Sequence, residues 1–184
     1  MTGADRASVA AVSMDKHHRF SKEPCEQITL IKGVGVQGDA HAAVTVQHLC
    51  RMKQDPKQPN LSQVHLLQLE FFDEARKAGY ELAPGDLGEN VLTQGLDLLG
   101  LSRDALLHIG CQSVIRVTGL RNPCAQIDSF RTDLLKVAVE RDMNGAVVRK
   151  TGIMGVVTTG GVIHPGDEIE VEWSAPPHQA LAAV

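Results

Sequence analysis

The apolar residues of this 184-residue chain come in short runs of four to seven, each broken by glycine, proline or an Asx turn signal. Short runs of this kind suit strands, and they leave little room for long helices. The clearest is "DEIEVEW" (167–173), which alternates strictly and predicts a strand with Ile169, Val171 and Trp173 inward and its glutamates outward. "ASVAAVS" (7–13) reads as the first strand and "MDKHHRFSKEP" (14–24) as the loop after it. "EQITLIKGVGVQGDAHA" (26–42) reads as a strand, a turn and a short second strand, and "DPKQPN" (55–60) as a turn. "DALLHIG" (104–110) and "SVIRVTG" (113–119) predict a strand pair about a tight turn at Gly110–Cys111. Residues 90–93 add a short strand within a glycine-rich loop, and 146–163 add two or three more.

Only two segments carry helical spacing. Over 61–79, Val64, Leu67, Phe71, Ala75 and Ala78 recur every three or four residues, with Asn60 and Gln63 as a capping box and Gly79 as the stop. Over 130–142, Phe130, Leu134, Val137 and Ala138 share a face, with Ser129 as cap and Asn144–Gly145 as terminator. About eight strands and two helices predict a mainly β single domain, barrel or sandwich, with helical insertions. Its core spans about 9–173, and 174–184 forms a loosely held tail. Aromatics are only 3% of the chain, so Val, Leu, Ile and Ala must fill the core.

Composition narrows function. The formal net charge of −4 and the lack of a long basic run argue against nucleic acid as a partner. No apolar run reaches the ~18 residues of a membrane span, and the first twenty residues contain no signal-type apolar region, so no membrane partner and a cytoplasmic location are expected. Four cysteines without a C-x-x-C spacing, in a chain of this length, read as reduced thiols.

Among those thiols Cys124, in "TGLRNPCAQID" (118–128), has a distinct setting. It follows a proline, sits where an apolar strand gives way to a loop, and lies three residues after Arg121. A neighbouring guanidinium favours the thiolate, the form that ligates metals and attacks electrophiles. A small buried hydrophobe is the competing reading. Cys25, Cys50 and Cys111 lack this setting. The histidines show no compact zinc spacing: His17 and His18 are adjacent, and His41 and His48 are seven apart. "KGVGVQGDAH" and "GDLGEN" match neither the P-loop nor the dinucleotide fingerprint and read as turn glycines. Their backbone amides could still cup an anion, assisted by Ser21–Lys22 or Arg149–Lys150.

Several segments, in order, resemble the MOSC family, the stand-alone relatives of the C-terminal domain of molybdenum-cofactor sulfurase. They are "HRFSKEP" (18–24), "GVQGDAHA" (35–42), "LGENVLTQGLDL" (87–98) and "LRNPCAQID" (120–128). The resemblance runs over about residues 9–173 and implies a MOSC-type β-barrel. It also implies a molybdenum–molybdopterin cofactor whose metal is ligated by the Cys124 thiolate. Soft sulfur donors suit that metal, and the cofactor would carry the redox chemistry. Transferred position by position, the cofactor-binding residues are Ser21, Lys22, His41, Arg51, Glu89, Asn90, Thr93, Arg121 and Asn122. The implied activity is reduction of N-hydroxylated small molecules. Electrons would come from a separate reductase, because no flavin, nicotinamide or iron–sulfur motif is visible. The alternative is a carrier module, with a persulfide on Cys124 or the cofactor held for transfer. The long sulfurase also has a pyridoxal-phosphate domain for which this chain has no room, so that cofactor is not expected. Larger amidoxime reductases carry an extra N-terminal region, for part of which residues 7–32 stand in.

Overall fold

The computed structural model describes residues 6–47 and 55–184. Thirteen strands are present among them. They are β1 (Ser8–Met14), β2 (Glu23–Cys25), β3 (Ile28–Ile31), β4 (Gly35–Val36), β5 (Val64–Gln68), β6 (Val91–Gln94), β7 (Leu106–Ile109), β8 (Ser113–Leu120), β9 (Val139–Arg141), β10 (Val147–Arg149), β11 (Ile153–Thr159), β12 (Gly161–Ile163) and β13 (Ile169–Glu172). Three short helices accompany them: α1 (Glu70–Lys77), α2 (Gln126–Phe130) and α3 (Leu134–Ala138).

Eight strands make one large mixed sheet in the order β13-β7-β8-β11-β5-β6-β1-β2, with smaller β12-β3-β4 and β10-β9 sheets beside it. Seven of its neighbouring pairs are antiparallel or parallel ladders, and β5–β6 is the parallel one. Parallel neighbours need a crossover, and α1 with the following loop supplies it. The expected barrel is met only in part. The β1 end meets the segment leading into β13 through the isolated bridge Ser8 to Glu168 and the backbone hydrogen bonds Val9 N to Asp167 O, Gly166 N to Val9 O and Ile169 N to Ala7 O. No continuous ladder joins the two strands.

The sheet separates two apolar clusters. Val64, Leu66, Ile115, Val117 and Ile153 bury into one; Leu67, Leu92, Phe71, Phe72, Ile127 and Leu134 form the other, under the helices. β5 is therefore covered on both faces. Such a strand loses its alternation and reads as a continuous apolar run. This is why the helix expected over 61–79 is wrong in its first half. Val64–Gln68 is the central strand, and only Glu70–Lys77 is helical. Asn60 does not cap it; its Nδ2 donates to the His41 and Ala43 carbonyls at 3.0 and 3.1 Å. Gly79 does end the helix, with φ +94°.

Of the helix expected over 130–142, Phe130 ends α2, only Leu134–Ala138 forms a helix (α3), and Val139–Arg141 is a strand. Asp133, at φ +66°, breaks the run, and the Ser129 hydroxyl donates back to Ala125 O instead of capping. Asn144–Gly145 turns the β9–β10 hairpin. The strand pair 106–109 and 113–120 forms as expected. In β13, Ile169 is buried but Trp173 lies beyond the strand end, 54% exposed and packed edge-on to His178, so its inward placement is corrected. The tail is held more firmly than expected: Leu120 N donates to Ala182 O, and Val184 N donates to Leu120 O.

One lateral row fixes the site. Leu120, Ile153, Leu66, Val91 and Val12 stand side by side on β8, β11, β5, β6 and β1. At this end β1 and β8 leave the sheet while β6 and β11 enter it. The loops that carry the quoted sequence segments therefore converge there.

Candidate functional site

Above that row is a cavity of about 330 Å³. The loop after β1 supplies Arg19, Phe20 and Lys22, and the loop after β4 supplies His41. β5 supplies His65, the segment before β6 supplies Asn90, and the segment after β8 supplies Arg121, Asn122 and Cys124. The glycines of "GDLGEN" make the junction. Gly85 and Gly88 have φ +87° and +80°, and a side chain on either would strike the carbonyl oxygen of Lys22 or Phe20. They are packing and turn residues: Lys22 N donates to Gly85 O at 2.8 Å.

Asp39 organises one wall. Its Oδ2 accepts from Lys22 Nζ at 2.7 Å, Asn90 Nδ2 at 3.0 Å and Asp15 N at 3.4 Å. Its Oδ1 accepts from His41 N at 2.9 Å and faces His41 Nδ1 at 3.3 Å. Burial alone would raise the Asp39 pKa, but the His41 hydrogen bonds and the Lys22 charge hold it well below the usual carboxylate range. Burial pulls the Lys22 pKa down against the opposing pull of Asp39. Asn90 spans this wall, donating also to Ser13 O and accepting from His65 N through Oδ1 at 3.2 Å. Burial and then the charge of Arg121 push the His65 pKa down to about 3, so its ring is neutral. Its Nε2 donates to Thr151 O at 2.7 Å.

The opposite wall is different. Arg121 is 9% exposed, its Nη1 has no partner among the described residues, and its guanidinium stands 5.9 Å over the Phe20 ring. Burial lowers its pKa, opposed by Cys124 and then Glu89. Cys124 is half-buried at the cavity wall, and its thiol donates to Gln126 Oε1 at 3.4 Å. Asn122 accepts from Arg149 Nε at 3.2 Å. Lys150, the other half of the basic pair, is bound by Glu74 and Glu140 at 2.7 and 2.8 Å.

Of the residues singled out in sequence, Lys22, His41, Asn90, Arg121, Asn122 and Cys124 line one cavity. Ser21 lies in a neighbouring groove, its hydroxyl donating to Asp86 O at 2.8 Å. Glu89 lies behind the wall: Oε1 accepts from Gly85 N at 2.6 Å, Oε2 has no partner among the described residues, and burial pushes its pKa up to about 7. Thr93 is fully buried in β6, with its hydroxyl 3.4 Å from Leu67 O. Arg51, with Cys50 and His48, falls outside the described residues. Sequence reasoning missed Asp39 and His65. Asp39 stood inside "GVQGDAHA", where the glycines read as turn residues and the aspartate was given no role, and His65 was hidden by the helical spacing of its segment. No group of three or more His, Cys, Asp or Glu side chains suited to hold a metal ion occurs among the described residues. No helix among them is long and apolar enough to cross a membrane.

A family model described as the MOSC domain matches residues 53–170. No curated protein matches the chain in sequence. Among solved structures the chain is similar to the YuaD protein of Bacillus subtilis, with 23% identity, a TM-score of 0.75 and coverage of 92% of this chain and 97% of that one. It is also similar to YiiM of Geobacillus stearothermophilus (17% identity, TM-score 0.66, coverage 95% and 79%) and YiiM of Escherichia coli (17%, 0.60, 94% and 73%). At these identities the structural matches speak for the fold, whereas the family model spans more than half of the sequence: the chain belongs to the MOSC domain family.

Proposed function

We propose that this protein binds a molybdenum–pterin cofactor at the cavity between Lys22 and Cys124, with the Cys124 thiolate as the ligand to the metal, and that it reduces N-hydroxylated small molecules. The observation that carries the reading is the presence on one cavity wall of half-buried Cys124 and a buried guanidinium, Arg121, whose Nη1 has no partner among the described residues. An unpaired buried cation is costly, and an anionic group in the cavity would relieve it.

The residues present suit such a group. Cys124 offers a soft sulfur donor. Arg121 offers a fixed cation for the negative charge of thiolates or a phosphate. Asn122 and Asn90 offer neutral polar edges on either side. Lys22 contributes less directly, because Asp39 already offsets its charge. When bound, the metal would supply two-electron chemistry and an acceptor for oxygen. The net change is cleavage of an N–O bond by two electrons and two protons, releasing an amine or amidine and water. The electrons come from a separate reductase. The chain's part is to orient the substrate and keep the site polar on one side and cationic on the other.

Benzamidoxime with a chemical electron donor tests this on protein purified from a cofactor-competent host. Benzamidine should form with the wild type and not with Cys124→Ser. A protein without turnover, but with a reductant-labile mass increase of about 32 Da on Cys124, one sulfur atom, would replace this reading with the persulfide carrier.

A further inference from the structure

Next to the cavity lies a second concavity of about 570 Å³, lined by Arg19, Phe20, Ser21, Lys22, Glu23, Gln126, Ser129 and Phe130. Arg19, Phe20, Lys22 and Gln126 line both spaces, so the two adjoin along one boundary. Gln126 stands on it and accepts the Cys124 thiol. The groove holds a pair of aromatic rings: Phe20 and Phe130 have centroids 5.7 Å apart at 39°. Outward, the Arg131 guanidinium lies 4.6 Å over the Phe130 ring.

This pairing is unusual within the chain. There are four phenylalanines in all, and Phe71 and Phe72 are buried in the core. The other two remain half-exposed and face one groove beside the Cys124 thiol. The groove's polar groups are weak competitors for a charged ligand. The Ser21 and Ser129 hydroxyls spend their protons on Asp86 O and Ala125 O. Arg19 is opposed by Asp15 and Glu23, at 3.6 and 4.0 Å. Such a surface favours a flat, neutral, aromatic body over an anion or a flexible chain.

We propose that this groove is a substrate subsite for an aromatic ring, with Phe20 and Phe130 as its specificity-determining residues and Gln126 marking where the ring's polar substituent passes toward Cys124. The inference rests on the reading above for the direction in which the substrate lies; ring binding itself requires no metal.

The test uses benzamide, which has a ring but no N–O bond, and cyclohexanecarboxamide, of similar size but not flat. Binding of each to the protein as purified is followed by chemical-shift perturbation. Benzamide should bind the wild type about three- to tenfold more tightly than the cyclohexyl amide. Phe20→Leu and Phe130→Leu, which keep apolar bulk against the adjoining core, should each erase that preference. Shifts should fall on 19–23 and 126–130. Equal affinity for the two amides, or a benzamide preference unchanged in both variants, overturns the subsite. Neither result depends on bound metal, so failure here is separable from failure of the molybdenum reading, which shows in metal content alone.

Discussion

The two walls of the cavity solve the problem of burying charge in opposite ways. On the Asp39 wall the principal groups are matched: Lys22 Nζ, Asn90 Nδ2, and the backbone N and Nδ1 of His41 converge on one carboxylate. On the Cys124 wall, Arg121 is buried almost as deeply as Lys22 yet keeps a nitrogen without a partner among the described residues. The first wall is scaffold, held together by its own electrostatics. The second carries the unspent bonding capacity, and binding should be sought there. A matched network loses stability when one member is removed, whereas an unmatched charge costs stability while it is present.

The largest effect should follow from breaking the matched wall. Asp39→Ala leaves Lys22 buried without its carboxylate and should destabilise the fold by about 3–5 kcal/mol in urea unfolding. Adding Lys22→Met should restore part of this. An Asp39→Ala cost near zero would show that the network is not the scaffold.

Glu89, behind the junction of the two walls, gives the next effect. Its folded pKa is raised to about 7. The native state therefore binds more protons than the unfolded chain between about pH 4.3 and 7. Its contribution to stability is present at the acid end of that window and is lost as pH rises through it. Glu89→Gln, which resembles the protonated form, should gain about 1–3 kcal/mol on the wild type between pH 5 and 8. His65 contributes the opposite slope, because its neutral buried ring disfavours folding below about pH 6.5. That slope is common to both proteins, so the difference between them isolates Glu89.

On the unmatched wall, Arg121→Met should change the stability of the metal-free protein by less than about 1 kcal/mol, or raise it, while abolishing cofactor retention. A loss as large as that of Asp39→Ala would erase the distinction between the walls. Smallest of all, Cys124→Ser should alter stability by no more than about 0.5 kcal/mol, because the thiol is half-buried with one long hydrogen bond.

Much of this arrangement was legible in the sequence, and unevenly. Strands with one exposed face announced themselves: β7, β8 and Ile169 of β13 followed their alternation. β5 did not, because two apolar layers cover it and its period vanished into that of α1. Five of the site residues, Lys22, Asn90, Arg121, Asn122 and Cys124, converged because their segments leave or enter the large sheet at the same end, and His41 joins them from the loop after β4 of the smaller sheet. Glu89 and Thr93 belonged to a matching segment but do not line the cavity: Glu89 sits at the turn before β6, where local sequence carries no sign of which face a residue takes, and Thr93 is buried within β6. Asp39 was hidden for a related reason: its role exists only through Lys22, seventeen residues earlier, and Asn90, fifty-one later.

The most direct measurement is the molybdenum and pterin content of freshly purified protein, wild type against Cys124→Ser, from a cofactor-competent host. Metal and pterin retained by the wild type, with the metal lost from the variant whose fold and stability are unchanged, is the predicted result. Equal retention by the two proteins, or no metal in either, would contradict the assignment of Cys124 as its ligand.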